Sequence, residues 1–150
     1  MDASALDGLL ADLHASAPGG LEVRRDGACT LLQAAPADLP VVMRLLREQA
    51  GLNYLANLTA VDRGESFEVV YHLFRIPADG AQVVVKCRVP RAEPRLPSVV
   101  ALYPTADWQE REVYDLMGVI FDGHPNLVRV LLPDDFVGHP LRKDFKVTAT

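Results

Sequence analysis

From Asp107 to Phe145 the chain interleaves charge, histidine, glycine and proline with large apolar residues, a pattern that permits one short helix and then only turns and extended backbone. The folded body must therefore come from the residues before it. A solvated tail has no use for Leu127, Val130, Leu131, Leu132, Phe136 and Phe145. A self-contained core has little use for the tripeptides Gly123-His124-Pro125 and Gly138-His139-Pro140. The mixture predicts an extended segment that gains its order against a partner.

The preceding residues carry the periodicities of a small domain. Leu6, Leu9, Leu10 and Leu13 form one face of a short helix, which Pro18-Gly19-Gly20 ends. Leu21–Arg25 and Ala28–Gln33 flank Asp26-Gly27, a two-residue hairpin signal. That register puts Leu21 and Val23 on one face with Thr30 and Leu32, and sets Arg24 opposite Cys29, near the wetter side of the sheet. Asp38 is placed to cap a helix with Pro40 in its first turn, with Val42, Leu45 and Leu46 inward, Arg44, Arg47 and Glu48 outward, and Gly51 at its end. In Tyr54–Val61, Tyr54, Ala56, Leu58 and Ala60 share one side, with Asn57 and Thr59 on the other.

After the turn Asp62-Arg63-Gly64-Glu65, residues Phe67–Ile76 are apolar on both faces, as in a central strand. Ala78-Asp79-Gly80-Ala81 turns into Gln82–Val89, where Val83, Val85, Cys87 and Val89 face in and Gln82, Lys86 and Arg88 face out. A two-residue loop there sets His72 opposite Cys87. Pro90 to Pro97 reads as a stiff, exposed connector, and Ser98 opens one helical turn before Tyr103-Pro104. The order helix, hairpin, helix, three strands, helix, tail predicts an α+β fold, a two-layer sandwich of a mixed or antiparallel sheet with helices, followed by an extended C-terminal tail. Its parts are an α+β domain over 1–104, a helix of the same domain over 105–118, and an extended docking tail over 119–150.

Composition removes several functions. The 150 residues suit one domain, able to bury roughly 70% of its unfolded surface. With 15 basic and 20 acidic residues and no basic cluster, nothing tracks a nucleic-acid backbone. Cys29 and Cys87 make no CxxC pair and cannot ligate an iron–sulfur cluster alone; two lone cysteines suit a reducing compartment. No GxGxxG or P-loop offers a nucleotide site. Met1-Asp2-Ala3-Ser4 shows no secretory signal, and no apolar run is long enough to span a bilayer.

The segment's helix has a clear local design. Asp107 and Glu110 have capping-box spacing, Val113, Leu116 and Met117 form an apolar stripe, and Gly118 suits the left-handed C′ position. Trp108, Arg111, Glu112 and Asp115 share the other side, where Arg111 and Asp115 can pair. Glu110-Arg111-Glu112 is then either a solvated face or a charge triplet held against a partner. Glu112 with Asp115 also has the spacing of an acid–base pair, although Arg111 beside them keeps both ionised.

His124 and His139, with Asp122, Asp134, Asp135 and Asp144, allow a metal site on paper but match no ligand spacing. His72 with Cys87 supplies only two zinc ligands. The commoner role for a histidine between Gly and Pro is to fix a turn through its ring nitrogens. Leu131-Leu132-Pro133-Asp134-Asp135 and Leu141-Arg142-Lys143-Asp144-Phe145 each join an apolar anchor to charge, which suits docking on protein.

Three segments, Glu110–Gly118, Gly123-His124-Pro125 and Leu131–Phe145, resemble the signature of the C subunit of proton-pumping NADH–quinone oxidoreductase, the respiratory complex I 30 kDa subunit family. Residues 1–104 agree in length and element order. Val128 departs from the resemblance, standing where a second basic residue beside Arg129 is expected. The resemblance implies a non-catalytic peripheral-arm subunit that binds no cofactor and no metal itself. NADH, FMN, iron–sulfur clusters and quinone belong to the complex around it.

The implied partners are the large quinone-site subunit (the D subunit) and neighbouring iron–sulfur subunits, at the cytoplasmic face of the bacterial inner membrane, with membrane association only through the complex. The implied interface comprises Glu110, Arg111, Glu112, Asp115, His124, Pro125, Arg129, Leu131, Pro133, Asp134, Phe136, His139, Pro140, Leu141, Arg142, Lys143, Asp144 and Phe145. Two alternatives stand beside it. One is the equivalent subunit of a ferredoxin-fed or plastoquinone-linked dehydrogenase or a membrane-bound hydrogenase. The other is a small metal-dependent hydrolase built on His124, His139 and the nearby aspartates.

Overall fold

The structure, a computed structural model, describes residues 3–147; Met1 and Asp2, part of the leader reading, and Thr148–Thr150 at the end of the tail lie outside it. Helix α1 spans Ala3–Ser16, and its side chains are described from Asp7 onward, so Leu6 lies outside the described side chains. Strands β1 (Leu21–Asp26) and β2 (Cys29–Ala34) form a hairpin, followed by a 3-10 turn at Pro36–Asp38 and helix α2 (Leu39–Glu48). Strands β3 (Tyr54–Asp62), β4 (Ser66–Phe74) and β5 (Gln82–Pro90) complete a five-stranded sheet in the order β1-β2-β5-β4-β3. Only β2 and β5 run parallel, so the sheet is mixed and the fold is α+β. Short parallel strands β6 (Arg95–Pro97) and β7 (Ile120–Asp122) flank helix α3 (Ala106–Met117).

The period-2 pattern of β4 and β5 decides which face is buried. Phe67, Val69, Tyr71 and Leu73 align with Val89, Cys87, Val85 and Val83, and all eight are buried. Leu9 and Leu13 of α1 and Leu39, Val42, Met43 and Leu46 of α2 join them in one core. Burial pushes the Cys87 thiol up to about 12, which leaves it a packing group. The opposite face is charged toward β1 and β2, where Lys86 and Arg88 of β5 stand around the buried Glu68 of β4, and Val70 and Val84 are buried beyond them.

Several sequence expectations change. The hairpin pairs Asp26 with Cys29 and turns at Gly27-Ala28, two positions of register from the Asp26-Gly27 reading; a shift of two keeps every face. Asp38 caps nothing: its carboxylate accepts the Gly19 N–H at 2.8 Å, tying the α1–β1 turn to α2. In β3 a bulge at Ala56 breaks the alternation, so Leu55 and Leu58 are both buried while Tyr54 is exposed. The loop from Arg75 to Ala81 is longer than two residues, so His72 lies opposite Val84 and away from Cys87. Within the connector from Pro90 to Pro97, Leu96 is fully buried in β6.

Helix α3 covers the β3 edge of the sheet. The Gln109 amide oxygen accepts the Leu58 N–H at 2.6 Å, and the Thr105 hydroxyl donates to the Leu55 carbonyl at 3.3 Å. Tyr103, just before the helix, donates its hydroxyl to the Leu52 carbonyl at 2.7 Å. A strand edge left bare invites pairing with other chains, so this cover protects the monomer as well as stabilising it. Gln109→Ala leaves the Leu58 N–H without a partner and is expected to cost about 1–3 kcal/mol in urea denaturation.

Candidate functional site

The candidate site is the C-terminal strap, residues 123–147, and the helix it wraps. Helix α3 starts without a side-chain cap: Asp107 and Glu110 do not form the expected capping box. Glu110 is fully buried instead and accepts the Ser98 hydroxyl at 2.6 Å and the Val99 N–H at 2.8 Å. Burial outweighs those two donors and raises its carboxyl above the usual range.

The helix's other end shows what the strap is for. The last four carbonyls of an α-helix have no partner inside the helix. Here the Tyr114 carbonyl takes the Gly118 N–H at 2.8 Å, and the Asp115 carbonyl takes the Arg129 guanidinium and the His139 Nδ1–H, both at 3.0 Å. The Leu116 carbonyl takes the Leu141 N–H at 3.0 Å, and Met117 takes the Arg142 Nε–H at 2.6 Å. Both guanidinium groups complement the negative end of the helix dipole. Gly118 suits its position because its φ is +76°, and an added Cβ would lie 2.6 Å from the Arg142 guanidinium and displace it.

The Asp115 carboxylate holds the strap's other leg. One oxygen accepts Arg129 at 2.7 Å, and the other accepts the successive backbone N–H groups of Val130, Leu131 and Leu132 at 3.1, 2.7 and 3.0 Å. The pairing of Asp115 with Arg111 along the helix does not form. Arg111 stacks on Trp108 and donates to the carbonyls of Val128 and Arg129. Arg129 continues to the carbonyls of Phe136 and Gly138, and Phe136 stacks on Phe145. Burial acts to raise the Asp115 carboxyl, but Arg129 and the three N–H groups outweigh it, so the group sits below the ordinary carboxylate range.

A second carboxylate pins the strap's end to the sheet. Asp62, at the end of β3, accepts Arg91 at 2.7 Å, the Gly64 N–H at 2.8 Å and the Lys143 N–H at 2.9 Å. The hydrogen bond from Arg91 is the main reason its carboxyl lies far below the ordinary range. Arg91 also pairs with Asp144, and Arg91 and Arg142 both lie over the Phe67 ring. Asp62, Phe67 and Arg91 escaped the sequence reading, because a turn residue gives no local sign of a partner 81 positions away.

The sequence-predicted residues therefore divide. Glu110, Asp115, His124, Arg129, His139 and Arg142 direct their polar groups into their own chain. Asp144 pairs with Arg91, and Phe136, Pro140 and Phe145 are half-buried. Glu112, Pro125, Leu131, Pro133, Asp134, Leu141 and Lys143 are exposed. Trp108, Val128 and Val137, outside the predicted set, are exposed as well.

His124 fixes a turn, whereas His139 ties the strap to the helix. His124 donates Nε2–H to the Asp107 carbonyl at 3.1 Å and accepts the Asn126 N–H at Nδ1. His139 binds the Asp115 carbonyl at the other end of α3. Those anchor points are about 12 Å apart along the helix axis, so the hydrolase alternative has no convergent pair. Among the described residues no group of three or more potential ligands is placed to hold a metal. No helix among them is long and apolar enough to cross a membrane.

On this strap Arg129, His139 and Arg142 turn their polar groups inward onto α3, while Leu131, Val137 and Leu141 face outward. The chain belongs to the family described as the respiratory-chain NADH dehydrogenase 30 kD subunit, whose model matches residues 32–150. It is 49% identical to the C subunit of the Moorella thermoacetica NADH-quinone oxidoreductase over 95% of this chain and 96% of that protein. A Gluconacetobacter diazotrophicus protein named as the C/D subunit of NADH-quinone oxidoreductase is 38% identical over 99% of this chain, which matches 26% of its length. Among solved structures, a chain of the membrane-bound sulfane sulfur reductase, an archaeal respiratory membrane complex, aligns with TM-score 0.77 at 29% identity, over 93% of this chain and 85% of that one.

Asp115→Ala leaves Arg129 without its carboxylate and three backbone N–H groups without an acceptor. It is expected to cost about 3 kcal/mol or more in urea denaturation and to remove amide-exchange protection at Val130–Leu132. The pH response has two signs. Asp115, Asp62 and Glu68 have lowered carboxyls, so their stabilisation is complete above the unfolded value of about 4 and is lost as pH falls below it. Glu110 has a raised carboxyl, so its contribution is complete below the unfolded value and is lost as pH rises through its folded value. Equilibrium unfolding followed against pH should show stability falling below about pH 4, and Glu110→Gln should remove the loss on the neutral side.

Proposed function

We propose that the chain is a non-catalytic peripheral-arm subunit of NADH–quinone oxidoreductase, seated through the outer face of its strap on the large quinone-site subunit. The observation that carries this reading is the strap's inverted polarity. His124, Arg129, His139 and Arg142 spend their polar groups inside the chain, while Leu131, Val137 and Leu141 stand 59–89% exposed, beside Val128 and Trp108. Exposed apolar side chains on a pinned backbone suit a permanent protein contact. The fused relative supports the choice of partner, because its name joins C and D in one polypeptide.

NADH, FMN, iron–sulfur clusters and quinone are carried by other subunits in this reading, and this chain meets the cytoplasmic face of the inner membrane only through the complex. The likeness to a chain of the sulfane sulfur reductase favours a second reading, the same structural role in a related respiratory complex with a different electron donor. Tagged purification in mild detergent, assayed for NADH–quinone activity, separates the two.

Leu131→Asp with Leu141→Asp tests the surface. Both side chains are exposed, so monomer stability should change by less than about 0.5 kcal/mol each. Co-purification of the quinone-site subunit should be lost. Normal assembly with both charges in place would refute the strap as the docking face.

A further inference from the structure

The open face of the sheet lies apart from the strap and has no role in the docking described above. Two adjoining grooves share Glu22, Gln33 and Arg88 and merge into one trough across β1, β2, β5 and the start of β4. Four cations line it, Arg24, Arg63, Lys86 and Arg88, against two carboxylates, Glu22 and Glu68. The chain as a whole carries −5, so this face runs against its net charge.

Glu68 is almost fully buried, and three of the cations converge on it: Arg63 and Arg88 at 3.1 Å and Lys86 at 3.8 Å. One carboxylate cannot neutralise three cations, and all three remain at least one-third exposed. Among the described residues Arg24 has no acidic partner. The trough therefore holds uncompensated positive charge around a fixed carboxylate.

The rim of the trough is a bare strand edge. β3, at one side of the sheet, is covered by α3 through Gln109 and Thr105. β1, at the other side, pairs with β2 alone, and among the described residues no backbone or side-chain group bonds its outer edge. Its own charges, Glu22, Arg24, Arg25 and Asp26, are those that protect an edge from aggregation. Edge protection does not account for Arg63, Lys86 and Arg88 gathered on the strands beyond.

We propose that the trough and the free edge of β1 form a second docking surface, which takes an extended acidic segment of a partner protein as a sixth strand of the sheet. The edge offers N–H and C=O groups to a peptide backbone, and the cations beside it select acidic side chains. A phosphate backbone fits less well, because it finds no use for the strand edge and meets Glu22 and Glu68. A bilayer surface cannot enter a concave trough.

The test is site-specific photo-cross-linking in the full chain assembled with its native partners. Gln33→p-benzoylphenylalanine reports from the trough, and Leu141→p-benzoylphenylalanine reports from the strap. The expected result is an adduct from position 33 to one polypeptide, at a segment that mass spectrometry shows to hold more Asp and Glu than Lys and Arg. Arg24→Glu, which breaks no ion pair among the described residues, should lower that yield about ten-fold, the size of one close charge pair lost. It should leave the thermal midpoint and the Leu141 adduct unchanged. No adduct from position 33, an adduct to a basic segment or to nucleic acid, or a yield indifferent to Arg24→Glu each overturns the proposal. Loss of the Leu141 adduct alone counts against the strap's docking and leaves the trough standing.

Discussion

The Asp115 carboxylate is the group on which the C-terminal third of the molecule turns. It sits in the last turn of α3 with no exposure, and it holds Arg129 and three consecutive backbone N–H groups. Those bonds position the strap so that His139, Leu141 and Arg142 can satisfy the remaining carbonyls of the helix. The dependence runs both ways. The helix end needs the strap to satisfy its carbonyls, and the strap needs the helix to supply the Asp115 carboxylate. Since α3 also covers the edge of β3, the same carboxylate is linked through the helix to the sheet.

Four buried carboxylates illustrate how environment sets the role of a charge. Asp62, Glu68 and Asp115 meet arginines and so remain ionised, serving as fixed anchors. Glu110 meets only a hydroxyl and a backbone N–H, and burial raises it. Removing Arg91 from Asp62 or Arg129 from Asp115 leaves a buried carboxylate without its cation, which costs several times what a surface pair contributes, whereas Glu68 keeps two cations when one is lost. The strap's strength thus resides in its polar contacts, a reversal of ordinary packing that frees its apolar side chains for another surface.

Much of the body was legible in the sequence because its signals are local. The alternation of β4 and β5, the helical spacing of α2 and the C-terminal glycine of α3 all act within a few residues. The failures have a common cause. Asp38 had the type and position of a cap, yet its carboxylate is taken by Gly19 across a turn. Asp107 and Glu110 had capping-box spacing, yet Glu110 is taken by Ser98 and Val99. Arg111 and Asp115 could have paired along the helix, but each found a partner in the strap. In each case a local hydrogen bond of modest worth lost to a tertiary one.

By itself the sequence determined the α+β class, the order of the elements, the buried faces of β4 and β5, and the family signature between Glu110 and Phe145, because periodicity and turn chemistry are properties of neighbouring residues. Only the tertiary structure decided that the strap folds back on its own helix, that Asp62 holds Lys143, and that polar residues read as interface point inward while Leu131, Val137 and Leu141 face out. Which donor meets which acceptor across such separations is set by how the chain closes on itself. No local pattern encodes that closure.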